Sequence, residues 1–321
     1  MNTAPLRVLL LGGTGTIGRA TAAALHEAGH KVTALVRAGT PTCALPGCDL
    51  RHGDVTVPGT VAGALTAAPY DAVVSCLASR TGAPADAEAI DHRAHSLALQ
   101  AATNAGLRRF VLLSAICVQK PTLAFQRAKL AFEAELQGSA LDWTIIRPTA
   151  FFKSLSGQVR RVQAGRPFLV FGDGRLTACK PISDADLGRF IALCLTDPTA
   201  RNAIRPIGGP GPHITPLDQV AMLERLLGRH VPVRRVPVAL MDVIIATLST
   251  LGRVSPRLAA KAELARIGRY YATESMLVFD PRTGGYEADA TPEFGSDRLA
   301  DHYAALLRGE VTDDRGAHAV F

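Results

Sequence analysis

Three glycines between an apolar run and a helical pattern are the clearest chemical signal in the sequence. The segment GGTGTIG at 12–18 places Gly12, Gly15 and Gly18 in G-x-x-G-x-x-G spacing. It follows a buried-strand pattern at 6–12 and opens a helical pattern at 16–29. Glycines in that context let the backbone approach a pyrophosphate, whose charge then lies at a helix N-terminus. The alternative is a plain tight turn. The expected dinucleotide contacts are Gly12, Thr14, Gly15, Thr16, Ile17, Gly18 and Arg19.

A cation stands where the second strand pattern ends. About 20 residues after the glycines, where an NAD enzyme places an acid for the ribose 2′-hydroxyl, this chain has Arg37. A guanidinium binds a 2′-phosphate through two parallel hydrogen bonds, whereas a carboxylate repels it. The sequence therefore predicts NADPH, with Arg19 as an assisting cation. The alternative for Arg37 is a solvated side chain at a strand end.

Two further strand ends carry cofactor candidates. Asp54 follows the third strand pattern and is expected to accept a hydrogen bond from the adenine amine, or only to cap the next loop. Cys76, Leu77 and Ala78 end the fourth strand pattern. The nicotinamide half of the cofactor lies outside the carboxyl ends of such strands, so these three residues are expected beside it.

The segment FQRAKLAFEAEL at 125–136 bears on the chemistry. Short-chain reductases carry Tyr-x-x-x-Lys near this point, with the tyrosine as proton donor. Here Phe125 stands four residues before Lys129. Three interpretations are open: a damaged enzyme, a cofactor-binding module without chemistry, or a reductase that needs no tyrosine. From spacing alone, Lys129 also fits a surface lysine on an amphipathic helix.

Alternating strand and helix patterns must position these residues. Buried-strand patterns occur at 6–12, 31–37, 71–79, 108–116 and 141–148, with a short one ending at 52–56 and a helix over 86–105. This rhythm predicts an α/β fold, a Rossmann-type doubly wound parallel sheet. We expect an NADP-binding domain at 1–150 and a smaller substrate-binding region at 151–321. The latter has helices near 216–228, 238–251 and 256–268, some segments returning to the sheet, and a mobile last dozen residues.

The composition is that of an ordinary globular protein. The 321 residues are 48% hydrophobic and 20% charged, with a net charge of +7 from scattered rather than clustered arginines. No nucleic-acid partner is indicated, since interleaved basic and aromatic segments are absent. Six cysteines without C-x-x-C spacing predict small buried side chains in a reducing cytosol and no metal. The longest apolar run, from Val238, contains Asp242 and predicts a core or interfacial helix.

Blocks along most of the chain resemble one family. They are SCLASR (75–80), FVLLSAICVQKP (110–121), FQRAKLAFEAEL (125–136), IIRPTAFFKSL (145–155), FGDG with ACKPIS (171–183), PIGGPG (206–211) and IGRYYATESML (267–277). Together they are similar to the divinyl chlorophyllide a 8-vinyl-reductase family of chlorophyll and bacteriochlorophyll synthesis. The segment DHRAHS at 91–96 departs from that family, so His92 and His95 are not carried over as site residues.

The resemblance implies NADPH-dependent reduction of the 8-vinyl group of a Mg-tetrapyrrole to ethyl. The substrate would be divinyl chlorophyllide or protochlorophyllide. Plant members carry a transit peptide and this chain begins at its first strand, so a bacterial cytoplasmic protein is expected. Peripheral contact with a membrane or with pathway enzymes, the oligomeric state and the preferred intermediate are open.

A conjugated vinyl group explains the lost tyrosine. Hydride added at its terminal carbon sends charge into the macrocycle, and no oxyanion forms that a tyrosine must neutralise. The resemblance then gives Lys129 the role of positioning NADPH and relaying the proton, while Phe125 lines a flat apolar slot. Ser114 is expected at the cofactor and Cys117 at the substrate.

Aromatic pairs are expected to bind the macrocycle. Phe151 and Phe152 suit its faces, and Lys153 suits the substrate carboxylate. Tyr270 is expected in the cleft wall and Tyr271 as a proton source, with ordered water as an equal candidate. Without the resemblance, both aromatic pairs fit core residues better.

Other functions remain open at this stage. An NADP(H)-sensing regulator of the NmrA-like type shares the glycine loop and needs no chemistry. A reductase of another conjugated alkene, like the isoflavone-reductase group, shares the cofactor. A scaffold for tetrapyrrole enzymes would use the apolar helix after Val238 as its contact surface.

Overall fold

The computed structural model describes residues 4–311. The expected mobility of the last dozen residues falls almost wholly outside that range. The strands are β1 (Arg7–Leu11), β2 (Lys31–Val36), β3 (Asp49–His52), β4 (Ala72–Ser75), β5 (Arg109–Leu113), β6 (Asp142–Pro148), β7 (Phe168–Phe171), β8 (Ala203–Ile207), β9 (Val233–Val236), β10 (Val278–Asp280) and β11 (Gly285–Glu287).

Helices alternate with these strands. The α-helices are α1 (Thr16–Glu27), α2 (Thr60–Thr66), α3 (Pro84–Ala87), α4 (His95–Asn104), α5 (Ala124–Gln137), α6 (Phe152–Leu155), α7 (Val159–Gln163), α8 (Asp184–Thr196), α9 (Pro216–Leu227), α10 (Val238–Gly252), α11 (Pro256–Thr273) and α12 (Leu299–Arg308). A π-helical turn, Glu88–Ala94, joins α3 to α4.

The chain divides into two compact units. The first comprises 1–79, 84–148 and 184–207, and the second comprises 80–83, 149–183 and 208–321. Residues 184–207 fall in the region expected to form the substrate domain. They belong to the first unit because β8 pairs with β6 and extends the sheet.

The first unit is built on a seven-stranded sheet in the order β3-β2-β1-β4-β5-β6-β8. Every neighbouring pair is parallel. Buried side chains of α2, α4 and α5 pack with those of the strands in one core cluster. The predicted Rossmann-type fold is confirmed. The third strand ends at His52, earlier than predicted, because the segment after it turns around Asp54 and Thr56.

The second unit has a smaller core of its own. It contains the parallel pair β7–β9, the antiparallel hairpin β10–β11 and helices α6, α7 and α9 to α12. The helix α9 shows why such segments form. Thr215 and Asp218 make a capping box, Pro216 occupies its first position, and Gly228 follows it at φ 62°. The helices predicted near 216–228, 238–251 and 256–268 are confirmed as α9, α10 and α11.

Candidate active site

The glycine loop connects β1 to α1 in the first unit. Gly12 has φ 74°, and a Cβ on it would lie 2.7 Å from backbone atoms of Cys76. A Cβ on Gly18 would lie 2.1 Å from the carbonyl oxygen of Gly12. Neighbouring backbone atoms therefore leave no room for a side chain at position 12 or 18.

Gly15 lacks a side chain for a different reason. It is exposed, and a Cβ on it would have its nearest contact at an ordinary 3.4 Å, from the oxygen of Gly12. Gly15 is also the N-cap of α1, so no side chain covers the first turn of this 12-residue helix. Thr14 and Thr16 flank it, and Ile17 is buried beneath. This uncovered helix N-terminus fits a pyrophosphate.

Arg37 and Asp54 follow β2 and β3 at the same edge of the sheet. Both are exposed, as is Arg19 on α1. Asp54 caps its own loop, since its Oδ1 accepts hydrogen bonds from N and Oγ1 of Thr56 at 2.9 and 2.7 Å. These bonds, with the Arg37 cation acting in the same direction, hold the pKa of Asp54 below its ordinary value. A role for Asp54 toward adenine stays a prediction.

The end of β4 connects the glycine loop to a buried polar cluster. The N–H of Cys76 donates to the Leu11 carbonyl at 2.9 Å, which holds Cys76 against Gly12. Three residues on, the N–H of Ser79 donates to Asp91 Oδ1 at 3.2 Å. Leu77 is partly exposed and Ala78 exposed. Four residues, 76–79, thus connect the contact with the glycine loop to the contact with Asp91.

Lys129 lies buried on α5, opposite Asp91. Its Nζ is 2.9 Å from Asp91 Oδ1, and the two side chains are 10% and 0% exposed. The surface-lysine interpretation of Lys129 is therefore wrong. Gln126 sets where α5 begins, because its amide oxygen accepts from the N–H of Leu123 at 2.9 Å. Lys129 follows one turn after the start of that helix.

Asp91 is charged although it is buried. Burial by itself would raise the pKa of Asp91, but Lys129 and the hydrogen bond from Ser79 hold it below its ordinary value. Its Oδ2 atom is also buried and has no hydrogen-bond partner among residues 4–311. A buried carboxylate oxygen without a donor is costly, so the carboxylate depends on the contacts that Lys129 and Ser79 make with its other oxygen.

A neutral histidine lies beside this pair. Burial, with the Lys129 cation nearby, lowers the pKa of His95 to about 4. Its Nδ1 is 2.9 Å from the Ile90 carbonyl, which can only accept, so Nδ1 carries the hydrogen. Nε2, 2.9 Å from Ser75 Oγ, accepts from that hydroxyl. The ring also stacks on Phe132 at 4.7 Å. His95 therefore stabilises the end of β4 and the π-helical turn.

The other candidate site residues of the first unit, Ser114, Cys117 and Phe125, are buried. Ser114 is buried and donates its hydroxyl to Glu133, which also pairs with Arg147. Cys117 is buried in a 3-10 turn after β5. Phe125 is 8% exposed, one helical turn before Lys129. Contacts of Ser114 with cofactor, or of Cys117 and Phe125 with substrate, stay predictions.

The aromatic candidates at 151–153 and 270–271 belong to the second unit. Phe152 is buried in that unit's core, and its ring lies 5.7 Å from that of His302. Phe151 and Lys153 are partly exposed. Near the end of α11, Tyr270 is buried and Tyr271 is 38% exposed, with their rings edge to face at 5.7 Å. Phe152 is thus a core residue, as we would expect without the resemblance, and Tyr271 is the more exposed residue of its pair.

Sequence reasoning missed Asp91. It lies within DHRAHS, the segment set aside because of its histidines. His92 is indeed a peripheral residue, bound to Glu88 at 3.1 Å and Glu135 at 2.6 Å. Asp91 lies in the first helical pattern after the fourth strand. Helices in that position start beside the edge of a parallel sheet where the cofactor binds, so a carboxylate there could have been predicted as a site residue.

Comparisons with known proteins agree with this geometry. The NAD(P)H-binding family matches residues 12–198. Divinyl chlorophyllide a 8-vinyl-reductase, chloroplastic, from Oryza sativa subsp. indica is 46% identical over 331 aligned positions, covering 98% of this chain and 82% of that protein. Photosystem II assembly factor Ycf39 from Guillardia theta is 27% identical over 97% of this chain and 99% of its own length. The NADPH-dependent quinone oxidoreductase QOR2 of Escherichia coli, solved with NADPH, has a TM-score of 0.68 at 16% identity, covering 94% and 99% of the two chains.

The sheet, the glycine loop and the family match define an NAD(P)H-binding Rossmann protein whose cofactor is a nicotinamide dinucleotide. At the level of identity to the rice protein, the chain belongs to the divinyl chlorophyllide a 8-vinyl-reductase family, a family of oxidoreductases. Among the residues described, no helix is long and apolar enough to cross a membrane.

Proposed function

We propose that this protein uses NADPH to reduce the 8-vinyl group of divinyl chlorophyllide a, or of the corresponding protochlorophyllide, to an ethyl group. The observation that carries the proposal is 46% identity to the rice 8-vinyl-reductase over 98% of the chain. The site supports it, because it keeps a buried cofactor-side lysine and has Phe125 where carbonyl reductases place a tyrosine.

The cofactor would be held by the first unit. Its pyrophosphate suits the N-terminus of α1 at Gly15, and its 2′-phosphate suits the exposed Arg37 and Arg19. When bound, NADPH supplies the hydride. Gly12 lets the loop lie close to the end of β4, and Gly18 lets α1 lie close to the loop. Just after β4, Ser79 donates its N–H to Asp91.

Lys129 would position the nicotinamide half and hold a proton near it. An ammonium has three donors, and the contact with Asp91 uses one, so others remain for ribose hydroxyls. The Asp91 carboxylate accepts from Nζ and so fixes where the ammonium lies. Protonation occurs on carbon, so Lys129, Tyr271 and ordered water remain the candidate sources.

The substrate is a flat apolar Mg-tetrapyrrole with a carboxylate. Phe151, which is partly exposed, offers ring surface, and Lys153 offers a cation for the carboxylate. Phe125 and Cys117 are 8% and 4% exposed, so a substrate contact of either rests on the resemblance alone. We also propose the bacterial cytoplasm as the location, on the basis of the resemblance alone.

The test is direct reduction. Purified protein is incubated with NADPH and divinyl chlorophyllide a, and the Soret band is followed together with NADPH oxidation. We expect the blue shift that accompanies loss of the vinyl conjugation, with one NADPH consumed per pigment. Tight NADPH binding with no shift on either chlorophyllide or protochlorophyllide would overturn the proposal and favour a cofactor-sensing or assembly role.

A further inference from the structure

The helical hairpin formed by α10 and α11, residues 238–273, presents an apolar surface to solvent. None of the 15 residues of α10 is buried. Five large apolar side chains between residues 238 and 255 are exposed, and we call them the apolar face: Leu240, Val243, Ile244, Leu251 and Val254. The spacing of three, one and seven among the first four places them on one side of α10. Val243 is 62% exposed and Val254, just after the helix, is 85% exposed.

The opposite side of α10 is already used. Asp242 pairs with Arg269 of α11, and Ser249 Oγ accepts from Arg266 at 2.7 Å. At the turn of the hairpin, a Cβ on Gly252 would lie 2.9 Å from Ala259, so the two helices approach closely there. The apolar face is therefore not a disordered surface, because the helix that carries it is held in place from behind.

Cations surround the free end of this hairpin. Arg253, Arg257 and Lys261 are exposed, at the end of α10 and in the first two turns of α11. No acidic residue occurs between 243 and 262. The two acids that bound this stretch are paired, Asp242 with Arg269 and Glu263 with Arg266 at 3.0 Å. The end of the hairpin thus combines apolar side chains with a positive charge that has no acidic counterpart in the segment.

Exposed apolar side chains next to positive charge favour one kind of partner. A second copy of the chain would cover the apolar face but would bring only the same cations to it. An anionic lipid surface satisfies both properties, since the apolar side chains enter the acyl boundary and the cations meet headgroup phosphates. At the usual rise, α10 is about 22 Å long, which suits a helix lying in the interface rather than one spanning the bilayer.

We propose that the α10–α11 hairpin docks this protein on anionic phospholipid membranes through the apolar face and Arg253, Arg257 and Lys261. The protein remains water-soluble when detached, and the contact is peripheral. The proposal does not depend on which reaction the active site catalyses, because the docking surface and its test involve no substrate.

Vesicle co-sedimentation of the full chain tests it. We expect binding to vesicles of phosphatidylcholine mixed with phosphatidylglycerol, weakening with salt, and little binding to phosphatidylcholine alone. The double variant Arg253→Glu/Arg257→Glu should lower partitioning by about fivefold or more per residue. The double variant Arg201→Glu/Arg282→Glu makes the same change in net charge away from the hairpin and should bind as the wild type does.

A second test variant and its control probe the apolar face. Val243→Glu with Val254→Glu should abolish binding, whereas Leu193→Glu, at an exposed position of α8, should not. Circular dichroism and thermal midpoints check that each variant is folded. Equal sedimentation with neutral and anionic vesicles, or unchanged binding of the hairpin variants, would overturn the proposal. So would a dimer in sedimentation equilibrium that the Val243→Glu/Val254→Glu variant dissociates, in a protein that does not bind lipid.

Discussion

The ion pair of Lys129 and Asp91 is the main polar feature of the segment that carries Phe125 in place of a tyrosine. The lysine is buried, its partner is buried, and the partner's second oxygen has no donor among the residues described. A buried pair of this kind is seldom kept for stability, because desolvation offsets most of its attraction. Asp91 also accepts from the N–H of Ser79, just after β4, and this link supports the proposal that Asp91 positions Lys129 for the cofactor.

Removing the charge of Asp91 should separate positioning from folding. Asp91→Asn should lower turnover about 10- to 100-fold, since Lys129 is no longer held in place. Both Asp91→Asn and Lys129→Met should destabilise the protein by about 3–5 kcal/mol, because each leaves one buried charge without its partner. The combined variant should regain much of the stability and none of the activity, measured by urea unfolding and steady-state reduction.

Glu88→Gln is the matched control for Asp91. It removes a carboxylate from the same π-helical turn, but at a half-exposed position paired with His92. We expect turnover within about twofold of wild type, as for surface changes generally. If Asp91→Asn behaved like Glu88→Gln, the positioning role would be ruled out.

Arg37 should decide the choice between the two nicotinamide cofactors. Its exposed guanidinium can bind a 2′-phosphate, and replacement by aspartate would repel that group. Arg37→Asp should raise the KM for NADPH by about tenfold or more and leave that for NADH nearly unchanged. Arg201→Asp is the control with the same change in charge. An unaltered NADPH/NADH ratio in Arg37→Asp would contradict the assignment.

At the scale of elements, the site depends on how β1, α1 and β4 meet. Gly18 is needed for the fold, because a Cβ there would collide with the oxygen of Gly12. The packing of the protein does not require a glycine at position 15. Gly15 nevertheless lies at the N-terminus of α1, where an anion would bind. Packing therefore requires the glycine at position 18, whereas ligand binding requires the one at position 15.

Alanine at each position should show this difference. Gly15→Ala should leave the thermal midpoint close to wild type and lower NADPH affinity about tenfold, because the methyl group intrudes on the pyrophosphate. Gly18→Ala should destabilise the protein itself by roughly 2 kcal/mol or more, since backbone must shift. Thermal unfolding and fluorescence titration of NADPH measure the two effects. Equal losses of stability in both variants would show that the loop has a purely structural role.

For the whole molecule, burial of a neutral His95 makes folding sensitive to acid. In the unfolded chain a histidine takes up a proton near pH 6.5, whereas in the folded protein the pKa of His95 is lowered to about 4. The unfolded state therefore binds the extra proton between these values. The contribution of His95 to stability should be complete above pH 6.5 and fall toward pH 4 with a slope of about 1.4 kcal/mol per pH unit. Partial burial would lower the pKa of His92, but Glu135 and Glu88 raise it, so His92 contributes in the opposite direction.

The variant His95→Gln should flatten this slope, measured by denaturant unfolding at several pH values. His30, whose pKa burial also lowers, contributes in the same direction, so the difference between variant and wild type is the quantity to compare. His26→Gln, at an exposed position, should keep the wild-type slope. A slope that His95→Gln leaves unchanged would contradict the assignment of a neutral ring.

The local sequence was enough for the order of strands and helices, for the glycine loop and for the family. Apolar runs, helical spacing and glycine positions are properties of neighbouring residues, and they predicted β1 to β6 and α9 to α11. They did not predict β8 as a strand, since its short half-buried sequence carries a weak pattern. These local patterns also did not show that α10 has no buried residue. An apolar helix has the same sequence pattern whether it lies in a core or on a surface.

Only the tertiary structure decided the state of the chemical groups. Lys129 and Asp91 are 38 residues apart, and neither position alone shows that a charge is buried and paired. The same holds for Ser114, which spacing suggests for the cofactor but which donates to Glu133, and for Phe152, which packs in a core. Patterns along the chain determine which elements form. Burial and long-range pairing depend on how distant elements fold against each other, and these two quantities determine the charge and the freedom of a side chain.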